Sequence, residues 1–177
     1  FSLFLYPLVY IAIKLEDGGR ALFVQNRIGQ GDRLFKIFKF RTMQRTEEGV
    51  WIGETPNEIT KVGQFLRRTR IDEFPQIWSV IKGDQSFIGP RPDLSGLGER
   101  LRAEIPYYNI RNLIKPGLSG WAQIKQNYKK GNISPQSLEE TKRRLSYDLY
   151  YIKNRSFMLD LKIALQTLRI FISRVGV

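Results

Sequence analysis

The sequence predicts an α+β fold that is mainly helical, with a small N-terminal β-hairpin, a re-entrant, kinked N-terminal membrane helix and amphipathic interface helices. Three observations support this prediction. The first fifteen residues are largely apolar, carry a single charge at Lys14 and contain a proline. Two β-rich runs then flank a short turn with two glycines, which is typical of a hairpin. Most of the remaining chain carries apolar residues at helical spacing.

The composition excludes several kinds of chemistry. The 177 residues are enough for one domain with a sizeable core, and they include no cysteine and no histidine. A thiol nucleophile, a disulfide framework, an imidazole base and a Cys/His zinc site are therefore excluded. Any proton transfer or covalent step must use carboxylates, lysine, tyrosine or hydroxyl groups. A divalent metal would need oxygen ligands, which favours Mg²⁺ over Zn²⁺.

The formal net charge is +12. Nucleic acid, an anionic membrane surface or a phosphorylated substrate would each account for it, and so would a merely soluble basic surface. The sequence shows no interleaved aromatic and basic recognition motif, which argues against nucleic acid as a partner.

The N-terminal stretch "FSLFLYPLVYIAIKL" covers residues 1–15. It is shorter than the roughly 20 apolar residues that span a bilayer. Pro7 interrupts helical hydrogen bonding and predicts a kink, so the helix could enter one leaflet and return. A buried core helix and the end of an ordinary transmembrane helix are the alternatives. Because the chain begins with Phe1 and not with Met, we expect it to be a fragment of a longer protein or a trimmed one.

The predicted hairpin turns at "GQGD", residues 29–32. Strand side chains alternate, so the second run places four residues on one face: Phe35, Ile37, Lys39 and Arg41. Lys39 and Arg41 then point the same way. Together they predict an anion clamp, with a planar fork from arginine and a point charge from lysine. A solvated strand end is the alternative.

Beyond a polar loop at residues 44–57, apolar spacing and capping residues predict further helices. In chain order these are a helix around Val62, Phe65 and Leu66, a second from Phe74 to Ile81 that stops at Gly83, a short one before Pro106, one with Pro135 at its first position after a serine cap, and an amphipathic one over "SFMLDLKIALQTLRIFISRV".

Two adjacent carboxylates, Asp72 and Glu73, precede the second of these helices. Asp is a preferred N-cap and Glu is favourable in a first turn, so the pair has an ordinary structural explanation. A helix N-terminus also receives phosphate well, and a carboxylate there could attack an electrophilic phosphorus. Mg²⁺ or nearby arginines would then have to neutralise the charge. Arg67 and Arg70 lie close by in the chain, and both interpretations stay open.

The segment "GPRP" holds Arg91 between two prolines. Each proline fixes its own φ and pushes the preceding residue toward extended geometry. The segment is either a rigid turn or a means of presenting an arginine to phosphate at little entropic cost.

Four longer stretches carry a resemblance to a known family. They are "KFRTM", "DEFPQIWSVIKGDQSFIGPRPD", "KPGLSGWAQI" and "YDLYYIKNRSFMLDLKI", and in this order they cover nearly the whole chain. Together they resemble the bacterial sugar transferase family, the monotopic polyprenyl-phosphate sugar-1-phosphate transferases, also called phosphoglycosyl transferases. The chain is similar to the catalytic domain of larger members as well.

The resemblance implies an enzyme that works at a membrane. The family transfers a sugar 1-phosphate from a UDP-sugar to polyprenyl phosphate, releases UMP and requires Mg²⁺. It begins the assembly of exopolysaccharide, capsule, O-antigen or glycoprotein glycans at the cytoplasmic face of the bacterial inner membrane. Residues 1–15 would be part of a re-entrant membrane helix, and residues 16–177 would form the catalytic domain facing the cytoplasm. A homodimer is a further expectation that the sequence itself does not address.

The resemblance also implies roles for six residues. Asp72 matches the family's nucleophile, which forms a phosphosugar–enzyme intermediate, and it matches a Mg²⁺ ligand. Glu73 matches the acidic partner, a candidate base for the attack by polyprenyl phosphate. The family's substrate-binding positions match four basic residues: Lys39, Arg41, Arg67 and Arg91.

Three features depart from the family pattern. Tyr6 precedes the helix-breaking proline where many members have serine, so the bend can differ. The segment after "GWAQ" lacks the usual arginine, and Lys125, Lys129 or Lys130 could supply its charge but not its fork. Larger members carry upstream transmembrane helices and another domain.

Three alternatives to this mechanism stay open. In a ternary complex, polyprenyl phosphate would attack directly and Asp72 would serve only Mg²⁺. The chain could also be a non-catalytic basic module that binds a membrane surface or nucleic acid, or a scaffold for other glycan enzymes. The sequence does not name the sugar, and we expect specificity contacts in residues 44–57 and 125–135.

Overall fold

The computed structural model describes residues 2–43, 59–126 and 135–172. The helices there are α1 (Ser2–Asp17), α2 (Lys61–Thr69), α3 (Ile77–Ile81), α4 (Ser95–Glu104), α5 (Trp121–Lys125), α6 (Leu138–Asn154) and α7 (Phe157–Ile172). The strands are β1 (Leu22–Ile28), β2 (Leu34–Phe40), β3 (Ser86–Ile88) and β4 (Gly117–Ser119). The mainly helical α+β prediction is confirmed. The predicted loop at 44–57 and most of segment 125–135 lie outside the described residues.

The chain divides into two compact units. The first comprises Phe1–Val24 and Phe38–Ile77, and the second comprises Gln25–Ile37 and Trp78–Val177. Both strands of the hairpin contribute residues to each unit. The expected division into a membrane segment, residues 1–15, and a catalytic domain, residues 16–177, stays a prediction.

The predicted antiparallel hairpin is confirmed in β1 and β2. Gly31 and Asp32 both adopt a φ of 63° in the turn, a conformation that glycine and aspartate tolerate better than most residues. The alternation predicted for β2 is present over residues 34–37, where Phe35 and Ile37 are buried and Leu34 and Lys36 are exposed. It does not continue to the end of the strand, because Phe40 on the other face is buried as well.

The first unit packs α1 and α2 against the end of β2. Its buried cluster consists of Val9, Ile13, Ala21, Phe40 and Leu66. Glu16 fastens the start of α2, because its carboxylate accepts hydrogen bonds from the Lys61 N–H at 2.7 Å and the Val62 N–H at 3.2 Å. A carboxylate at a helix N-terminus is favoured by the helix dipole and by the unsatisfied N–H groups there.

The second unit contains a parallel strand pair that the sequence did not predict. β3 pairs with β4 in the register Ser86 with Gly117 and Ile88 with Ser119. The same unit has a buried apolar cluster contributed by α4, the segment that follows it and α6, and made up of Leu101, Ile105, Tyr108 and Leu145. Ile163 of α7 is also fully buried in this unit.

Two helix starts differ from their predictions. The helix expected with Pro135 at its first position begins instead at Leu138, and Ser137 caps it by accepting a hydrogen bond from the Glu140 N–H at 3.2 Å. The helix expected from Phe74 is a 3-10 helix, Ile71–Gln76, which continues into α3. The stop at Gly83 is confirmed, because this glycine adopts a φ of 83° just after α3.

The N-terminal helix contains Pro7, as expected. Over the described residues, no helix combines the length and the apolar character needed to cross a membrane. Several apolar side chains of α1 are exposed, among them Leu8, Ile11 and Leu15. The re-entrant path of this helix stays a prediction.

We expect Gly63→Ala to destabilise the fold by about 1–3 kcal/mol, because α2 packs directly on a backbone segment. A Cβ on Gly63 would lie 2.7 Å from Thr42 Cα and closer still to the Thr42 carbonyl. Urea unfolding of the full chain would measure the loss.

Gly96→Ala in α4 is the matched control. A Cβ at Gly96 would meet no described heavy atom within 4 Å, so we expect no loss and a gain of up to about 1 kcal/mol from helix propensity. Equal stability of the Gly63→Ala variant and the unsubstituted chain would contradict this account of α2 packing.

Candidate active site

The site is built around a sharp turn between α2 and the 3-10 helix Ile71–Gln76. Arg70 makes this turn in the left-handed conformation, with φ 57° and ψ 15°. A residue with a side chain occupies this region at a cost of about 1–3 kcal/mol, and such residues cluster at functional sites. The turn places Asp72 inside the first unit, where it is buried.

The predicted N-cap role of Asp72 is wrong. Arg70 is the N-terminal flanking residue of the 3-10 helix, and Asp72 lies within the first turn with Glu73. The left-handed turn at Arg70 starts the helix two residues earlier than the capping preferences of Asp and Pro75 suggested.

Asp72 lies in a polar but poorly solvated position. Its Oδ1 atom is buried and accepts no hydrogen bond from any residue that the structure describes. Burial and then the neighbouring Glu73 carboxylate raise the pKa of Asp72 above its ordinary value. The positive charges of Lys39, Arg70 and Arg67 oppose this rise without cancelling it. A carboxylate with a raised pKa is a stronger base than usual once it is ionised.

Glu73 is held by an ion pair with Lys39. The Lys39 Nζ donates to Glu73 Oε1 at 2.7 Å, and the two side chains are only 18% and 20% exposed. Lys39 reaches this position because it follows Phe35 and Ile37 on the same face of β2. The predicted anion clamp therefore includes a residue that also fixes the second carboxylate.

The positions of the Arg67 and Arg41 side chains each depend on a small neighbouring residue. The Arg67 Nε donates to the Thr42 hydroxyl at 2.9 Å. Gly19 leaves room for the Arg41 guanidinium, since a Cβ on Gly19 would lie 2.6 Å from Arg41 Cζ. Both arginines are half-buried, so each guanidinium is constrained more than an ordinary surface arginine.

The structure thus places five of the six predicted site residues in the first unit. Lys39 and Glu73 are in direct contact, and the charges of Lys39 and Arg67 act on Asp72. Arg91 belongs to the second unit, where it follows β3 and is half-buried. The catalytic, metal-binding and substrate-binding roles of these six residues stay predictions.

Comparison with known proteins decides the family. A family model described as bacterial sugar transferase matches residues 1–174. The chain belongs to the bacterial sugar transferase family. The resemblance found in the motifs is therefore confirmed.

Curated relatives agree with this assignment. The bacterial sugar transferase chain is 40% identical over 169 residues to the UDP-N-acetylgalactosamine-undecaprenyl-phosphate N-acetylgalactosaminephosphotransferase of Aeromonas hydrophila, covering 94% of this chain and 38% of the relative. It is 39% identical over 162 residues to the UDP-glucose:undecaprenyl-phosphate glucose-1-phosphate transferase of Escherichia coli K12, covering 90% and 34%. The chain therefore spans little more than a third of the length of these two relatives.

The donor set of this bacterial sugar transferase fits a lightly liganded Mg²⁺. Among the described residues, no group of three or more acidic side chains could hold a metal ion. Protein-bound Mg²⁺ commonly takes one or two carboxylates, with substrate phosphates and waters completing the octahedron. The buried Oδ1 of Asp72 is a hard oxygen without a hydrogen-bond donor among the described residues, so it meets this requirement.

Sequence reasoning missed several residues that shape the bacterial sugar transferase site. Thr42 gave no signal, and neither did the left-handed conformation of Arg70. It also missed a buried polar network in the second unit, formed by Asp93, Tyr108, Arg111, Arg144 and Asp148. The last two carried a signal, because they lie four residues apart on the α6 face that also buries Leu145 and Tyr151. Charges at core positions of an amphipathic helix indicate buried partners.

We expect Asp72→Asn to raise stability at about pH 7. Since the folded-state pKa is raised, the folded protein holds this proton more tightly than the unfolded chain. The stability contributed by this proton is full below the ordinary pKa of 3.8 and is lost as the pH rises through the folded pKa. The substitution removes that loss, and we expect a gain of about 1 kcal/mol, or roughly 2–4 °C in melting temperature.

Thermal unfolding at neutral and at acidic pH would check this expectation. The gain should shrink as the pH falls toward the ordinary pKa of the carboxyl group. Asp84→Asn, at an exposed position, is the control and should change stability little at either pH. A lower melting temperature of the Asp72→Asn variant at neutral pH would contradict the raised pKa.

Proposed function

We propose that this chain transfers a sugar 1-phosphate from a UDP-sugar to polyprenyl phosphate, through a covalent phosphosugar–aspartyl intermediate on Asp72. The observation that carries the proposal is the buried Asp72 oxygen, which accepts no hydrogen bond from a described residue and lies in the field of Lys39 and Arg67. The names of the two relatives, both undecaprenyl-phosphate sugar phosphotransferases, support the reaction class.

In the first proposed step, an ionised Asp72 oxygen attacks the phosphorus that bears the sugar. A bond forms between this oxygen and phosphorus, and the bond from phosphorus to the bridging oxygen of UMP breaks. UMP leaves with that electron pair. Positive charge from Arg67, Lys39 and Arg41 would stabilise the phosphate oxygens, because a guanidinium pairs two of them at once. The raised pKa of Asp72 favours attack once the proton is lost.

In the second proposed step, an oxygen of polyprenyl phosphate attacks the same phosphorus. The bond to Asp72 breaks and the free carboxylate returns, while the product is a polyprenyl diphosphate sugar. Glu73 accepts the proton of the attacking phosphate if that oxygen carries one. Its 2.7 Å contact with Lys39 fixes the orientation of the carboxylate for this role.

We propose Mg²⁺ as the cofactor and Asp72 as its ligand in this chain. The ion would neutralise charge on the diphosphate. Arg91 is proposed as a further ligand of the substrate phosphates, since the prolines on either side restrict its backbone. A role at the start of glycan assembly and a homodimer stay predictions.

We further propose that the chain lies at the cytoplasmic face of the bacterial inner membrane through α1 and α7. Four of the exposed apolar residues of α7 form a strip at helical spacing: Phe157, Leu161, Leu165 and Leu168. Ile163, on the opposite face, is fully buried in the second unit. Near the strip, Lys162 lies with its Nζ 5.6 Å from the centre of the Trp121 ring. An apolar strip flanked by lysine and tryptophan is typical of an interfacial helix.

The covalent step can be tested with UDP-sugar labelled in the sugar, Mg²⁺ and no acceptor. We expect label on the denatured protein, release by hydroxylamine as for an acyl phosphate, and a burst of about one UMP per chain. Asp72→Asn should remove the label and lower turnover with acceptor at least about 10³-fold. Asp84→Asn is the control with the same chemical change, and it should keep both.

Each contrary result would support one of the three alternatives to the covalent mechanism. Full turnover with acceptor but no label would replace the covalent step by direct attack in a ternary complex. Absence of UMP release with any UDP-sugar, together with salt-sensitive DNA binding, would favour the non-catalytic basic module. Normal glycan production in cells that carry Asp72→Asn would favour a scaffold.

Membrane contact can be tested by cysteine accessibility, since the chain has no cysteine of its own. Single variants Leu165→Cys in α7 and Leu8→Cys in α1 should react more slowly with a membrane-impermeant maleimide when vesicles of phosphatidylcholine and phosphatidylglycerol are present. Ser146→Cys, on an exposed position of α6, is the control and should react at the same rate. Equal reactivity of all three with and without vesicles would refute the membrane contact.

A further inference from the structure

The turn that carries Arg91 is fastened at four consecutive carbonyl groups, all within the second unit. The carbonyls of residues 90–93 each accept a hydrogen bond from a different partner. In chain order the donors are the Gly117 N–H at 2.9 Å, Arg111 Nη2 at 2.7 Å, Arg27 Nη1 at 3.1 Å and the Ile28 N–H at 3.0 Å. Hydrogen bonds to four successive carbonyls leave this backbone little freedom.

The donor to Arg91 itself is a buried charged side chain. Arg111 is only 1% exposed, and its guanidinium forms ion pairs with Asp93 and, at 2.8 Å, with Asp148. The Arg111 guanidinium therefore binds both the Arg91 carbonyl and the carboxylate of Asp93, two residues further along the same turn. The planar guanidinium can make these contacts together, whereas an ammonium group could not reproduce their directions.

The rest of the network holds this fork in place. Asp93 also accepts hydrogen bonds from the Tyr108 hydroxyl at 2.7 Å and from Arg144 Nη2 at 2.8 Å. Two arginines thus face two aspartates in a buried, charge-balanced cluster. Buried ion pairs are weak contributors to stability compared with apolar residues of similar size. Their value to the fold is a defined geometry, and the geometry defined here is that of the turn around Arg91.

The prolines complete the restraint. Proline fixes φ at residues 90 and 92 and limits the residue before it. Arg111 holds the carbonyl between the two prolines, so the backbone of Arg91 is restrained on both sides and at its own carbonyl. A ligand arginine whose backbone is fixed loses less entropy when it binds phosphate.

We propose that Arg111 is a positioning residue that acts through Arg91, by clamping the backbone that presents the Arg91 guanidinium to the substrate phosphates, with Arg27 as a second, outer member of the same clamp. The proposal rests on the proposed function, in which Arg91 binds the diphosphate. It predicts that damage to the clamp weakens substrate binding only while Arg91 is present.

The test is a double-mutant cycle of Arg111→Lys and Arg91→Ala, read as KM and kcat for UDP-sugar in the UMP-release assay with the full chain. Arg111→Lys keeps the charge beside Asp93 and Asp148 but loses the fork. We expect KM to rise about 10- to 100-fold with kcat much less affected, because the lost interaction is substrate binding. In the Arg91→Ala background the same substitution should leave KM unchanged.

Arg144→Lys is the matched control, since it makes the same change in the same buried network. Arg144 contacts Asp93 and Tyr108, and the structure shows no contact between it and the Arg91 carbonyl among the described residues. It should lower the melting temperature much as Arg111→Lys does without raising KM in the same way. If the Arg111→Lys chain does not fold, Arg27→Lys tests the clamp from a half-buried position and should give a smaller, Arg91-dependent rise in KM.

The outcomes separate the two proposals. An Arg91→Ala variant with raised KM, combined with an undiminished effect of Arg111→Lys or Arg27→Lys in that background, would overturn the positioning role alone. Equal effects of Arg111→Lys and Arg144→Lys on KM would overturn it as well. An Arg91→Ala variant with unchanged KM would overturn the phosphate role of Arg91 and the clamp with it.

Discussion

The first unit is organised around the burial of one carboxylate, that of Asp72. Removing a carboxylate from water is costly unless hydrogen bonds and opposite charges replace the lost hydration. Here the replacement is incomplete, because Oδ1 accepts no hydrogen bond from the described residues and Glu73 adds a second negative charge. Lys39 and Arg67 supply positive charge, but the pKa stays raised. Burial without full compensation is a cost to stability that is characteristic of functional sites.

Backbone strain at the turn before Asp72 is a second cost to the stability of the fold. Arg70 holds the left-handed conformation that turns the chain from α2 into the 3-10 helix. A glycine would make the same turn with less strain. The turn moves Asp72 out of solvent and brings Glu73 to Lys39, so the strain is coupled to the site geometry. Stability and reactivity are therefore opposed at this turn, as they often are in enzymes.

The second unit shows what a satisfied buried carboxylate looks like. Burial opposes the ionisation of Asp93, but the guanidiniums of Arg111 and Arg144 outweigh it and hold the pKa of Asp93 below its ordinary value. The Tyr108 hydroxyl completes the set of donors. Two aspartates of the same chain are thus shifted in opposite directions by their surroundings. Burial also raises the pKa of Asp148, although Arg111 pairs with it. What distinguishes Asp72 from both network aspartates is therefore its Oδ1 atom, which accepts no hydrogen bond from a described residue.

The sequence predicted the features that depend on local chemistry. The turn at residues 29–32 follows from residues that accept a positive φ, and the shared face of Lys39 with Phe35 and Ile37 follows from strand alternation. The parallel pair of β3 and β4 could not be predicted in the same way, because each strand has only three residues and the partners are far apart in the chain. The N-cap prediction for Asp72 failed because a left-handed arginine has no sequence signal of its own. The Asp93 network joins residues from three separate segments, that of Asp93 itself, residues 108–111 and α6, and only the charges on α6 gave a sequence signal for it.

The two side chains proposed to act on phosphate, Asp72 and Arg91, are both attached to a constrained backbone. Sequence reasoning could identify these two side chains, but it could not identify the residues that constrain their backbone. Asp72 comes just after the left-handed turn at Arg70. Arg91 lies between two prolines, and its carbonyl accepts a hydrogen bond from Arg111. The groups themselves are visible in the sequence because their chemistry is specific to side-chain type. Their supports act through backbone carbonyls and dihedral angles, for which many side chains could serve. The guanidinium of Arg111 is an exception, because only its fork can bind a carbonyl and two carboxylates together. A lysine at this position would keep the charge balance of the network and still lose the geometry of the turn.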